Sequence, residues 1–504
     1  MDTLHLLLAG LASASAPQNL LAVLVGVLLG LFVGALPALG PAAGVAILLP
    51  TIVNLDPTVA IAGLAGVYYG AMYGGSVTSI LIGVPGDSAA MMTVMDGYPL
   101  AQKGEAGRAL GMAVYASFTG GLISLILMTF LSTWVAQAAL AFGPVEMTAV
   151  IVLALCLVTV LGGDDMIKGF LSLGVGLWVA MIGLDPINAV PRFTFQNIHL
   201  LEGIDFTIIV VGMYGLGQMF AALADTGQNA RATAKYSMAS LFPRFSDFLL
   251  CKWTLFWSSL IGFVVGVLPG AGATAATVFA YASAKRTSNH PEEFGKGAIE
   301  GVAAPESANN AASYAAMIPL FTLGIPGSGT TAVMLGGLLM LGLQPGPQLF
   351  SQQPEFIWTL IGTFYIGNLT LVFLTLALIP LLAALVFIRV SLLFPIVISV
   401  VFFGIYSINN DVADVGIGVL FGLAGWIFTR LRYPMLPFLL GVILGPLLER
   451  AIRRSLIISQ GDVGVFWQST IASAIFAVSI LLVVYGALTP AIRWYRNMRR
   501  TRNA

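Results

Sequence analysis

Ten apolar runs, at 19–36, 58–83, 108–136, 143–162, 167–184, 206–224, 248–268, 356–388, 391–409 and 468–490, are each long enough to cross a bilayer as a helix. The run at 356–388 is one tilted helix or two shorter ones. Charged residues make up 9% of the 504-residue chain and hydrophobic ones 58%. A soluble domain carries about a quarter charge, so a surface this poor in charge must face lipid. Six further apolar stretches, 41–54, 271–284, 311–325, 330–343, 415–429 and 434–448, are too short to span, and several are bounded by Pro and Gly. The fold class read from this pattern is an all-α polytopic membrane protein of ten to thirteen spans, with broken helices or re-entrant hairpins.

The net charge is zero, which points to no nucleic-acid partner. Cys156 and Cys251 adjoin or lie in apolar runs, so no disulfide framework is expected. His5, His199 and His290 are scattered without metal-ligand spacing. Leu4 to Leu11 followed by small residues mimics a signal peptide, but the basic segment is missing and Asp2 is acidic, so retention is expected. Arg493, Arg496, Arg499, Arg500 and Arg502 form a basic tail without acids, which places the C-terminus in the cytoplasm. Arg231, Lys235, Arg244 and Lys252 mark a second cytoplasmic segment.

The apolar sequence repeats itself. Residues 34–44 read Gly-Ala-Leu-Pro-Ala-Leu-Gly-Pro-Ala-Ala-Gly, and 266–276 read Gly-Val-Leu-Pro-Gly-Ala-Gly-Ala-Thr-Ala-Ala. Residues 82–86 read Ile-Gly-Val-Pro-Gly, and 323–327 read Leu-Gly-Ile-Pro-Gly. Pro37 and Pro269 are 232 apart, and Pro85 and Pro326 are 241 apart. Two ordered pairs at similar separation describe two repeats. An odd number of segments between them would make the repeats inverted in the membrane, which is the expected arrangement. The division is a first membrane repeat at 1–230, a cytoplasmic connection at 231–255, a second repeat at 256–470, and a last span with the basic tail at 471–504.

Pro removes a backbone N–H and Gly opens backbone shapes closed to other residues, so together they break a helix. Broken backbone at membrane depth survives only beside protein or a watery cavity. Its free N–H groups bind carboxylates without needing a charged side chain. Short or interrupted segments at matching places in two halves are the best pointer to a transporter's site. The substrate-binding candidates are therefore Pro37 and Gly40; Pro85, Gly86 and Ser88; Pro269, Gly270, Gly272 and Thr274; and Pro326, Gly327, Ser328, Thr330 and Thr331. Helix capping alone accounts for one hydroxyl at each break, but Ser or Thr stands at several. The stretch 297–310 carries Glu300, Glu306, Asn309 and Asn310 among small residues. Asn309 and Asn310 join the substrate candidates. Glu306, Asn310 and Asp87 are the cation-binding candidates, because acids and amides at membrane depth are costly and their oxygens suit Na⁺. The polar segment 96–108 reads as a solvated loop. No cofactor and no metal beyond a Na⁺ are expected.

These residues carry a resemblance. The stretches 266–276, 294–310 and 323–328, together with Asp96 to Pro99, Gly104 to Arg108, Gly183 to Asn188, Pro191 to Thr194 and Leu444 to Glu449, resemble the large membrane subunit of the tripartite tricarboxylate transporters, TctA-like, over about residues 20 to 470. The resemblance implies secondary uptake of a di- or tricarboxylate such as citrate across a bacterial inner membrane, with Na⁺ or H⁺ as coupling ion. It also implies a small four-span membrane subunit and a periplasmic solute-binding protein as partners; a homo-oligomer is compatible with it. Two departures stand out: Ala38 where the second half has Gly270, and an acid with methionines in 85–92.

Two other readings compete with secondary transport. A passive carboxylate channel or exporter suits broken-helix repeats less well than alternating access does. An intramembrane aspartyl protease, suggested by Gly86-Asp87, needs a second facing carboxylate, and Asp164 and Asp165 sit at a span end. No phosphate-binding loop of the GxxxxGK[ST] type occurs, so an ATP-driven pump is not expected. The chain is not expected to be an enzyme.

Overall fold

A computed structural model describes residues 3–36, 39–140, 142–162, 165–185, 188–224, 241, 244–385 and 390–502. Of these residues, side chains are described outside 245, 385–393 and 489–504. The fold is all-α and polytopic. Among the described residues nine helices are long and apolar enough to cross a membrane. Internal contacts divide the chain into two compact units, Met1–Ala139 with Thr207–Ile427, and Leu140–Phe206 with Phe428–Ala504.

The first unit begins with α1 (Thr3–Ala14), α2 (Pro17–Gly34), α3 (Pro41–Leu48), α4 (Pro57–Ile82), α5 (Met91–Gln102) and α6 (Ala106–Ala139). The second unit contributes α7 (Pro144–Leu161), α8 (Met166–Val179) and a two-stranded hairpin, β1 (Gly183–Leu184) and β2 (Pro191–Arg192). The chain then returns to the first unit through α9 (Phe206–Val210), a π-turn, α10 (Gly217–Ala224), α11 (Phe245–Val267), α12 (Gly272–Thr287), α13 (Glu300–Ala315), α14 (Met317–Leu323), α15 (Gly329–Met340), α16 (Pro347–Gln352), α17 (Pro354–Leu385), α18 (Val390–Asn409) and α19 (Val412–Leu431). The second unit closes with α20 (Met435–Ile458), α21 (Val465–Gln468) and α22 (Thr470–Arg502).

Two expectations are corrected and one alternative is decided. Stretch 415–429 is the middle of α19, and 434–448 covers the N-terminal part of α20; these helices run 20 and 24 residues and are long enough to span. The helices extend past the apolar stretches because charged residues such as Arg430, Glu449 and Arg453 continue them without a break. Residues 96–102 of the expected solvated loop 96–108 lie in α5, which tolerates Pro99 in its interior. Residues 356–385 of the 356–388 run lie in the single helix α17, with Pro380 inside it, and 386–388 lie outside the described residues.

The first unit is organised by close helix contact. Gly26, Gly30 and Gly34 lie four apart on α2, and Gly66, Gly70 and Gly74 lie four apart on α4. That spacing makes a groove without side chains, so the two backbones touch, as small residues allow in lipid. A methyl at Gly70 would stand 2.7 Å from the Val27 carbonyl oxygen. Asp56 caps α4 by accepting from the Thr58 N–H at 2.9 Å.

The sequence repeat has a counterpart in contacts. Gly30 and Gly34 of α2 abut Val67 and Ala71 of α4. Gly262 and Gly266 of α11 abut Ala308 and Ala312 of α13. Both sets keep the sequence offsets of 232 and 241. α4 and α14 both end on a left-handed glycine, Gly83 (φ 71°) and Gly324 (φ 70°), where a Cβ would be strained.

In the second unit, Arg192 and Arg453 meet Asp185 and Glu449 in a closed group of charges. The distances are 3.0 Å for Arg192–Glu449, 2.9 Å for Arg453–Asp185 and 2.6 Å for Arg453–Glu449. This brings together the motifs at 183–188, 191–194 and 444–449.

Candidate functional site

The chain is broken at all four proline-bearing places. α2 stops at Gly34 and α3 starts at Pro41; α4 stops at Ile82 and α5 starts at Met91. α11 stops at Val267 and α12 starts at Gly272; α14 stops at Leu323 and α15 starts at Gly329. Pro37 itself lies outside the described residues, as do Ala38, Asp164, Arg231 and Lys235.

Within each half the two breaks touch. The Gly86 N–H donates to the Gly75 carbonyl at 3.4 Å, and a methyl on Gly86 would stand 2.8 Å from the Gly34 oxygen. Gly40 sits beside the Asp87 side chain, with 3.7 Å between its missing Cβ and Asp87 Cβ. In the second half the Gly270 N–H donates to the Gly327 carbonyl at 3.1 Å, and a methyl on Gly327 would stand 3.3 Å from the Gly266 oxygen. Pro85 and Pro326 follow Gly83 and Gly324 directly after each chain reversal, and Pro269 precedes Gly270 (φ 86°).

Near the breaks, two hydrogen bonds join one half to the other. Ser88 Oγ and Thr274 Oγ1 are 2.8 Å apart, and Tyr68 Oη and Ser328 Oγ are 3.4 Å apart. Ser88 and Thr274 are both exposed. Ser328 caps α15: its Oγ accepts from the Thr331 N–H at 3.3 Å, while the Ser328 N–H donates to Thr331 Oγ1 at 2.8 Å. Thr330 is buried beside it. Gly272, with φ 64°, opens α12. Ser88 and Thr274 therefore meet across the halves, and Ser328, Thr330 and Thr331 open α15, so that small polar groups and helix starts line the breaks, an arrangement able to hold an anion.

Glu306 forms a separate centre. It is fully buried on α13 and accepts hydroxyls from Ser76 of α4 at 2.7 Å, from Ser117 of α6 at 3.4 Å, and from Thr93 of α5. A carboxylate in this setting is stabilised by its three donors against the cost of burial. Asn310, one turn on, donates Nδ2–H to the Glu306 carbonyl at 3.2 Å, and Asn309 donates to the Met72 carbonyl at 3.5 Å. Asp87 is not bonded to Glu306; its Oδ1 accepts from the Ala90 N–H at 2.9 Å and closes the turn before α5. The three cation candidates thus fall at two places.

Sequence reasoning missed Ser76, Thr93 and Ser117, because a lone hydroxyl in an apolar helix carries no signal until its acid is placed opposite. It also missed Asp96. That carboxylate is fully buried and accepts the N–H groups of Gly295, Gly297 and Ala298, each at 2.8 Å, and the Tyr281 hydroxyl at 2.7 Å. Asp96 ties the first half to the loop before α13. The glycines at 295, 297 and 301 were the available signal: the first two take positive φ, and Gly301 leaves room for the carboxylate.

Residues 20–440 match the family model described as the tripartite tricarboxylate transporter TctA family. The chain is 41% identical over 497 residues to a 52.8 kDa protein from the TAR-I ttuC′ 3′ region of Agrobacterium vitis, covering 99% of this chain and 98% of that one. It is 43% identical over 236 residues to a protein from the TAR-II ttuC′ 3′ region of the same organism, covering 47% of this chain and 97% of that one. No solved structure matches it.

Proposed function

The chain belongs to the tripartite tricarboxylate transporter TctA family, and from that premise we propose that it is the large membrane subunit of a secondary uptake system for a citrate-like di- or tricarboxylate. It is a multi-pass membrane protein of a transporter family. Its cycle would be driven by a Na⁺ or H⁺ gradient across the bacterial inner membrane. A periplasmic solute-binding protein would deliver the substrate, and a small four-span subunit would accompany the chain. The basic tail would lie in the cytoplasm, and the two repeats would be inverted across the membrane.

The observation that carries this reading is the meeting of the breaks through Ser88–Thr274 and Tyr68–Ser328. A carboxylate placed there exchanges water for backbone N–H groups and hydroxyls, and no fixed cation has to be stripped away when it leaves. Ser88, Thr274, Ser328, Thr330 and Thr331, with the glycines at 40, 86, 270, 272 and 327, would form the substrate surface. Glu306, buried beside this surface through the Gly75–Ser76 step of α4, would carry the charge that couples the movement of a cation or proton to substrate. Uptake of radiolabelled citrate and of smaller dicarboxylates into proteoliposomes holding the three components tests the proposal. Accumulation that appears only with an imposed Na⁺ or proton gradient is expected; equal uptake with and without either gradient would overturn it.

A further inference from the structure

A cavity of about 390 Å³ lies between α11 and α12, away from the helix breaks. Trp253 and Trp257 of α11 and Thr287 of α12 form part of its wall, and Ser288, Asn289 and Glu300 line it where α12 ends and α13 begins. Its volume falls in the range of small-molecule pockets, roughly 300–1,000 Å³. Among the described residues Glu300 is the only charged one in the lining. It is 9% exposed. One of its oxygens accepts the Thr254 hydroxyl at 2.9 Å, and the other accepts the Ser288 hydroxyl at 2.6 Å. No Lys, Arg or His among the described residues pairs with it. A carboxylate so far withdrawn from water is costly unless a positive charge meets it. Each of its oxygens also has a lone pair left for another donor. The cavity therefore complements a small cation that carries N–H groups.

The surroundings of the cavity say what carries that cation. Trp253 and Trp257 are 65% and 58% exposed. Phe256 meets both edge-on, with ring centroids 6.3 and 5.5 Å away. Trp collects at the level of lipid headgroups, where one end of the ring is apolar and the other wet. Farther along the same two helices, Val264 of α11 and Val278 and Phe279 of α12 are exposed as well, so an apolar surface fit for acyl chains continues from the cavity. Lys252, beside Trp253, and Lys285 and Arg286, in the last turn of α12, are exposed at the cavity's end of the helices. Basic side chains in that setting attract lipid phosphates.

We propose that this cavity binds the headgroup of an aminophospholipid, phosphatidylethanolamine, whose primary ammonium donates to Glu300 while its acyl chains lie along α11 and α12. The phosphate would lie toward Lys252, Lys285 and Arg286. A phospholipid without an ammonium would leave Glu300 unpaired and bring its own negative charge toward the carboxylate, so the acid selects the amine. The site uses neither the helix breaks nor Glu306, and it stands apart from the carboxylate reading.

Native mass spectrometry of the delipidated, purified full-length protein, titrated with phosphatidylethanolamine or with phosphatidylglycerol of the same acyl chains, tests the site. Phosphatidylethanolamine should bind the wild type about tenfold more tightly than phosphatidylglycerol and should raise the thermal midpoint. Glu300→Gln keeps the side chain's shape and one acceptor oxygen, and should erase that preference. Trp253→Ala combined with Trp257→Ala removes two exposed side chains, so it supplies folded protein even where Glu300→Gln does not. That pair should weaken phosphatidylethanolamine about tenfold. Glycerophosphoethanolamine, the same head without acyl chains, should not displace the lipid at equal concentration. Equal binding of the two lipids by the wild type overturns the proposal. So does an unchanged preference in folded Glu300→Gln, or unchanged affinity in the folded Trp→Ala pair. Displacement by glycerophosphoethanolamine would make this a site for a soluble amine, and a polypeptide retained in place of the lipid would make it a subunit interface; either result contradicts the lipid assignment.

Discussion

The two repeats share a frame and differ in chemistry. In each, glycines on one helix abut the next helix, and a left-handed glycine turns the chain toward a Pro-Gly break that rests on the end of the preceding helix. Yet Asp87 follows the first break where Ser328 follows the second, and the second repeat carries Glu306 where the first has Ala65. Asp96, which staples the first repeat to the loop before α13, corresponds to Gly337, packed on Leu49, Ile52 and Leu64. The two halves share the backbone approach, and the titratable groups lie in one half or the other. Backbone contact tolerates no added atom, whereas a side chain at the rim of a pocket can change without moving the frame.

The largest expected effect tests the shared frame. Leu at Gly30 or at Gly262 drives a side chain into the backbone of Val67 or Ala308, an overpacking costing about 3 kcal/mol or more. Both variants should fail to yield monodisperse protein by gel filtration; a well-folded variant at one position would show that the two contacts are not equivalent. Next, Asp96→Ala leaves the buried Ala298 N–H and the partly buried Gly297 N–H without their acceptor, a loss of about 1–3 kcal/mol. A fall in thermal midpoint and faster hydrogen exchange at 295–298 should result.

Glu306→Gln keeps the shape and one oxygen able to accept the Ser76 and Thr93 hydroxyls but removes the charge that the second repeat holds at this position. Gradient-driven uptake should fall by about a hundredfold, within the range of site-to-site couplings, while the protein remains folded by circular dichroism. Asp87→Ser makes the first break resemble the second. Binding of a tricarboxylate relative to a dicarboxylate should then improve by about tenfold, the equivalent of 1.4 kcal/mol, as read by competition in equilibrium binding. The smallest effect is that of Ser88→Ala, which loses one bond across the halves, a change of about 1 kcal/mol, seen as a few-fold weaker substrate affinity.

Much of the frame was legible in the chain because Pro and Gly act locally. The breaks at Pro85, Pro269 and Pro326, and the hydroxyls after them, follow from what those residues do to their own backbone. The lengths of α19 and α20 were not legible, since a charged residue inside a membrane helix resembles a loop until Arg453 is seen paired with Glu449 and Asp185. Nor were the partners of Glu306 and Asp96. Ser76, Thr93 and Ser117 are 230, 213 and 189 residues from Glu306, and hydrogen bonds over such separations leave no periodic trace.

The account stands or falls on whether a carboxylate occupies the place where the two pairs of breaks meet. With Cys156 and Cys251 replaced by serine, a single cysteine at Ser88 or at Thr274 can be labelled by a membrane-impermeant maleimide in the presence of increasing citrate or a dicarboxylate. The account predicts that the carboxylate slows labelling at both positions, saturably and at the concentration that half-saturates uptake, while an uncharged amide analogue does not. Labelling at an unchanged rate, in protein that still transports the carboxylate, would contradict it.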